Sequence, residues 1–166
     1  KTLSIDQKKT SLGKTIKQRI RPDARIIYDC ERWKDHMEEM MAAADYFIPS
    51  SAFFDSSTDK FEPQQLFKNI LKLKKMIQGQ LIVTHGNAGA YYPLENRLYH
   101  VPAPSVAVRD TTGAGDLWAA GFLFGLIQGY PIEDCGHLGS ACGYEVCQVI
   151  GANISEEGWS RIKRLL

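Results

Sequence analysis

Apolar residues fall along this chain in two kinds of block. Arg25-Ile26-Ile27-Tyr28, Tyr46-Phe47-Ile48 and Leu81-Ile82-Val83-Thr84 are short, β-branched or aromatic, and closed by Asp29, Pro49 and a glycine-containing turn. They predict buried strands. Between them, residues 33–44 place Trp33, Met37, Met40 and Met41 on one side of a helix. Residues 62–78 space Leu66, Phe67, Ile70, Leu71, Leu73 and Met76 at helical intervals with lysines between, and Gly79 stands behind them as an expected C′ residue. Strand alternating with helix predicts parallel β-α-β units with right-handed crossovers. Ala90-Tyr91-Tyr92 and Leu98-Tyr99-His100-Val101, joined around Glu95-Asn96, predict a hairpin. A short strand is expected at 106–108, a buried helix from Leu117 that begins inside the preceding glycines, a helix over 132–150 after Pro131, and a last helix over 156–166 capped by Ser155. Residues 1–20 read as irregular or partly helical. The expected fold class is α/β, a single domain over 1–166 in which 1–23 is poorly defined. Ligands of open α/β sheets bind beyond the carboxyl ends of the strands, so the ends of 81–84 and 106–108 and the loop after Pro49 are expected to converge.

The chemistry concentrates in Asp110-Thr111-Thr112-Gly113-Ala114-Gly115-Asp116. The first N–H groups of a helix lack internal acceptors, and the helix dipole is positive there, so a glycine-lined helix start is an anion site. Asp116 puts a carboxylate beside that anion. Like charges repel, so the placement makes sense if Asp116 takes a proton from a hydroxyl attacking a phosphate. Asp110 on its own reads equally as an ion ligand or as an ordinary acid at a helix entry.

Composition narrows the partners. The chain has 166 residues, 44% hydrophobic, with a net charge of +1. Lys8, Lys9, Lys14, Lys17, Arg19, Arg21 and Arg25 cluster early, but without interleaved aromatics they read as a solvated face, so no nucleic-acid partner is expected. No apolar run reaches the roughly 18–20 residues that cross a membrane. Cys30, Cys135, Cys142 and Cys147 form no metal spacing, and His36, His85, His100 and His137 are scattered, so free thiols in a reducing cytoplasm are expected.

The seven-residue run, followed by Leu117-Trp118-Ala119-Ala120-Gly121-Phe122, resembles the C-terminal signature of the ribokinase/PfkB carbohydrate kinases. Val83 to Ala90 resembles that family's strand and nucleotide loop, Asp45 to Ser50 its strand toward the metal-side loop, and Gly151-Ala152-Asn153 its adenine-side loop. The likeness covers roughly 24–166 and corresponds to a C-terminal half, so a three-layer ribokinase-like fold lacking its N-terminal part is implied. The resemblance implies an ATP-dependent phosphotransferase acting on a sugar or nucleoside hydroxyl. It makes Asp116 the base and the amides of Gly113, Ala114, Gly115 and Asp116 the anion hole. Thr84, Gly86, Gly89, Gly151 and Asn153 would bind nucleotide. Asp110 and Thr112, with Val146, Gly151 and Ser155, would hold a potassium-like ion. Mg²⁺ and, in the complete protein, a homodimer are implied as well. The chain departs from the family at Ser50-Ser51-Ala52-Phe53, where Asn-x-x-Glu is common, and Asp55 is offset from that pattern. The alternative expectation is a non-catalytic or degenerate nucleotide-binding or interaction module.

Overall fold

A computed structural model describes residues 2–6, 15, 19–35, 37–55, 63–95, 97–105 and 107–166, with 2–6 and 63 as backbone alone. Lys8, Lys9, Lys14, Lys17, His36, Asn96, Val106 and the expected helix start at 62 lie outside them. The chain divides into two compact units, Lys1–His85 with Tyr91–Tyr99, and Gly86–Ala90 with His100–Leu166.

The first unit is built on a parallel sheet of β1 (Thr2–Asp6), β2 (Arg25–Cys30), β3 (Tyr46–Pro49) and β4 (Gln80–Leu81), in that order. The α/β class with a mainly parallel sheet is therefore present. β1 corrects the expectation of an irregular or helical start over 2–6, where Thr2 lies opposite Arg25 and Asp6 opposite Asp29, while residues 15 and 19 are helical. Thr-Leu-Ser-Ile-Asp alternates polar and apolar, and pairing with β2 engages one edge of its backbone. In β2, Ile26, Ile27 and Tyr28 are buried in succession, as in a strand covered on both faces.

Helix α1 (Met37–Ala43) is shorter than the expected 33–44. Trp33 stays outside it and packs on Phe53 with ring centroids 5.3 Å apart. Pro49 is the last residue of β3 rather than the residue that follows it, and the next amide, Ser50 N–H, donates to Cys30 O at 2.9 Å. The chain continues through α2 (Ala52–Asp55) to α3 (Leu66–Lys74). α3 stops short of residue 78 because the following amides turn back: Met76 N–H donates to Leu73 O and Ile77 N–H to Lys74 O. Gly79 is not a left-handed cap. A Cβ there would lie 2.4 Å from both Ala44 O and Asp45 O, so close backbone approach is its reason.

The expected strand 81–84 is split. β4 pairs with β3, while β5 (Val83–Thr84) joins β6 (Ala90–Leu94) and β7 (Arg97–Val101) in a three-stranded sheet that contains the expected hairpin. Ile82 N–H still donates to Phe47 O at 2.9 Å, and Ser50 bridges to Thr84, so the segment keeps running beside β3. The core of this unit is aromatic and methionine-rich. Phe47 stands against both Tyr28 (5.6 Å) and Phe53 (5.7 Å), and Phe53 against Phe54 (5.7 Å), over Met37, Met40 and Met41.

The second unit is helical: α4 (Ala114–Gln128), α5 (Ile132–Val146) and α6 (Glu156–Ile162). α4 begins inside the glycine run, as expected. It packs on α5 through small residues. A Cβ at Gly121 would come 2.8 Å from Cys142 Sγ, one at Gly125 2.9 Å from Cys135 Sγ, and one at Gly139 2.8 Å from Trp118 O. Ser155 caps α6, accepting from Gly158 N–H at 3.0 Å. α6 ends at Ile162, and a 3-10 turn over Lys163–Leu165 takes up much of the rest of the expected span. The expected strand at 106–108 is not formed over its described residues. Ala107 and Val108 are exposed, and the next two amides, of Arg109 and Asp110, donate to Cys147 O at 2.9 and 3.4 Å. The chain there is held by the residue that follows α5, and α5 stops at Val146 rather than 150 as the next amides turn back, Gln148 N–H donating to Glu145 O and Val149 N–H to Val146 O. Of the expected rim, the end of 81–84 and the loop after Pro49 do meet, with Ser51 N–H donating to Thr84 O at 2.7 Å.

Candidate active site

Gly113 is the N-cap of α4, with φ 76° and ψ 5°. That left-handed conformation suits glycine, and a Cβ would lie 2.6 Å from Ala152 Cβ. Leu117 N–H donates to Gly113 O at 2.8 Å, closing the first turn, and Ala114 N–H donates to Thr111 O at 3.1 Å. The amide of Ala114 is thus already engaged. Gly115 and Asp116 follow on the exposed first turn, where N–H groups have no intrahelical acceptor. The Asp116 carboxylate is exposed beside them.

Asp110 organises the approach to this turn. Its Oδ1 accepts from Thr112 N–H (2.9 Å) and from the Thr112 hydroxyl (2.7 Å). Its Oδ2 accepts from Gly151 N–H at 2.8 Å, 41 residues along the chain. The Gly151 amide, then the Thr112 donors, hold the Asp110 carboxyl below the usual carboxylate range. Asp110, Thr112 and Gly151 are therefore brought together, and Ala152 is laid against Gly113.

The other expected ion ligands are engaged elsewhere. Val146 O accepts from Val149 N–H at 3.3 Å, Gly151 O from Asn153 N–H at 2.8 Å, and the Ser155 hydroxyl from Gly158 N–H. Gly86 to Ala88 form a 3-10 turn closed by Gly89 N–H on Gly86 O at 3.0 Å. A Cβ on Gly89 would strike Val101 O at 2.0 Å. His100 Nε2–H donates to Ala88 O at 2.5 Å, a loop anchor that its sequence position does not reveal. Thr84 lies in the first unit, its carbonyl taken by Ser51.

The stretch at Ser50-Ser51-Ala52-Phe53 behaves differently. Phe53 and Phe54 are buried in the core, and the buried Ser50 hydroxyl has no hydrogen-bond partner. Two neutral hydroxyls, of Ser50 and Ser51, without a carboxylate among them do not fit a divalent ion, which is held through charged oxygen ligands. Among the described residues no group of three or more His, Cys, Asp or Glu is arranged to hold a metal ion.

The thiols are all free and buried. Burial pushes Cys135 and Cys142 up to about 11 and raises Cys30 and Cys147 as well. Sequence reasoning missed Glu145, nearly fully buried at the end of α5, which pairs with Arg161 of α6. Nothing in its spacing marks it.

The model of the pfkB family carbohydrate kinases matches residues 6–158. The chain belongs to this family. Its match starts upstream of the 24–166 expected from motifs, and takes in the last residue of β1. A nucleoside kinase of Methanocaldococcus jannaschii is 34% identical over 83 residues, 49% of this chain and 28% of that protein. A ribokinase of Lactococcus lactis is 31% identical over 130 residues, 77% of this chain and 40% of that protein. The crystal structure of a ribokinase from Thermotoga maritima superposes with a TM-score of 0.79 at 21% identity, covering 98% of this chain and 56% of that one. The Arabidopsis thaliana ribokinase complexed with ribose and ATP gives 0.75 at 20% identity, covering 97% and 55%. The fold is thus ribokinase-like, and this pfkB-family chain spans little more than half the length of these solved structures. Among the described residues no helix is long and apolar enough to cross a membrane.

Proposed function

We propose that the complete protein is an ATP-dependent kinase of a sugar or nucleoside hydroxyl, and that this chain carries its phosphoryl-transfer end. The observation that carries the reading is the start of α4: amides at a glycine-shaped first turn, with an exposed carboxylate at the third helical residue. In this reading the hydroxyl lies in line with the γ-phosphate and Asp116 takes its proton as the new bond forms. Charge growing on the transferred group meets the amides of Gly113, Gly115 and Asp116. Each such donor is worth about 10²–10³ in rate. Ala114 contributes by shaping the turn, since its amide is bonded to Thr111.

Gly86, Gly89, Gly151 and Asn153, with Thr84, take nucleotide-binding roles in the same proposal. A monovalent cation such as K⁺ at Asp110, Thr112, Val146, Gly151 and Ser155 belongs to it too. An oxygen with one donor keeps a second lone pair, and such an ion would add to the tie Asp110 already makes. Mg²⁺ is assigned no carboxylate of this chain. A homodimer and a cytoplasmic setting complete the proposal.

The test is Asp116→Asn in the complete protein, following ADP release with candidate sugars and nucleosides. Turnover should fall about 10²–10⁴-fold, the usual worth of a general base. Because Asp116 is exposed, thermal stability should barely move. Near-normal turnover would remove Asp116 from its role. A wild-type protein that binds ATP but transfers to no acceptor would make it a nucleotide-binding module instead.

A further inference from the structure

Glu145 is 4% exposed, yet it is an acid, and Arg161 pairs with it. Its Oε1 accepts from Arg161 Nε at 2.6 Å, and its Oε2 from Arg161 Nη2 at 2.7 Å and Gln148 Nε2 at 2.6 Å. α6 comes close at the same point, where a Cβ on Gly158 would lie 3.0 Å from Glu145 Oε2. The pair is half-buried, with the Arg161 side chain 46% exposed, and an apolar pair would hold the two helices together about as well. A bidentate guanidinium–carboxylate pair does something apolar contact does not: it fixes direction as well as distance.

What is fixed is the segment 147–155. Glu145 stands just before it, and Arg161 stands on α6, the helix that follows it. Gln148, inside the segment, takes part in the same cluster. Its neighbour Cys147 offers the carbonyl that receives the Arg109 and Asp110 amides, and Gly151 offers the amide that Asp110 receives. The cluster therefore closes the base of the loop whose middle clasps the approach to α4.

We propose that Glu145, Arg161 and Gln148 form a positioning latch for the nucleotide site. The latch holds the Gly151 amide and the Cys147 carbonyl at the points where the 109–112 segment is bonded, and so sets the geometry of the α4 start. The three are positioning residues, acting through the loop they close. The inference rests on the kinase reading for what the loop serves, and on hydrogen bonds alone for how the loop is held.

The test uses the complete protein with Glu145→Met/Arg161→Met, an apolar pair that keeps the helices packed, and Arg161→Lys, which keeps the charge without the fork. Amide hydrogen exchange is followed at Gly151 and Arg109 without nucleotide, and the affinity for a non-hydrolysable ATP analogue is measured separately. The double variant should melt near the wild-type temperature, exchange at least tenfold faster at both amides, and bind the analogue at least fivefold more weakly. Arg161→Lys should fall between, and it carries the test with the same readouts if the double variant does not fold. Wild-type exchange at Gly151 in a folded variant overturns the latch. Faster exchange with unchanged affinity overturns its role in the site. A wild-type protein that does not bind the analogue defeats the kinase reading, while exchange still decides the latch.

Discussion

Two loops of this chain meet the family pattern in opposite ways. At 110–116 the pattern is kept, and its polar groups are joined to backbone: Asp110 to Thr112 and Gly151, Ala114 to Thr111, Gly113 to Leu117. At 50–53 the pattern is lost, and the same stretch of chain has become core, with Phe53 and Phe54 in the aromatic cluster and the Ser50 hydroxyl left without a partner. A loop that keeps its chemistry remains at the surface, held by hydrogen bonds. A loop that loses it is free to add apolar area to the interior. The two should therefore fail differently when altered.

The largest stability effect is expected where the pattern is lost. Phe53→Ala removes a ring packed on Trp33, Phe47 and Phe54 and should cost about 3–5 kcal/mol in denaturant unfolding. A loss under 1 kcal/mol would show that the loop is not core. Gly113→Ala comes next. It forces a side chain into a left-handed turn and against Ala152, which together should cost about 2–4 kcal/mol and weaken nucleotide binding. Unchanged binding would show that the turn's conformation is dispensable. Ser155→Ala removes a single cap bond and should cost about 1 kcal/mol, read as a shift in the urea midpoint.

The smallest effect is one of pH. The Asp110 carboxyl is held below its ordinary value by the Gly151 and Thr112 donors. A depressed acid contributes stability above the unfolded value of about 3.9, and loses it as pH falls from there through the folded value. The clasp should thus hold at pH 5 and release only below about 4, and a carbon NMR titration of Asp110 should show a midpoint below 3.9. A midpoint at or above the ordinary value would mean the clasp does not form in solution.

Much of this was legible in the sequence. β2, β3 and the start of α4 followed from short apolar blocks and from glycines beside an acid, and Ser155 read correctly as a cap. The misses share a cause: tertiary bonds decided them. Leu81-Ile82-Val83-Thr84 reads as one strand, but its two ends join different sheets. Val106-Ala107-Val108 is β-prone, yet the residues after it are bonded to Cys147 and no strand forms over its described part. Gly79 matches a cap by position, but is there for Ala44 and Asp45. In the site, Asp110 and Gly151 were both picked out, but a contact across 41 residues has no local signature. Glu145 and His100 gave no signal, because their bonds to Arg161 and Ala88 join residues 16 and 12 apart.

The thiols of Cys135 and Cys142 fill the seam that Gly125 and Gly121 open on α4, and both are pushed up to about 11. A protonated, enclosed sulfur does not react with alkylating reagents. Labelling at these two positions counts only molecules in which α4 has parted from α5. The protein thus carries its own clock for opening, one that bound nucleotide should slow.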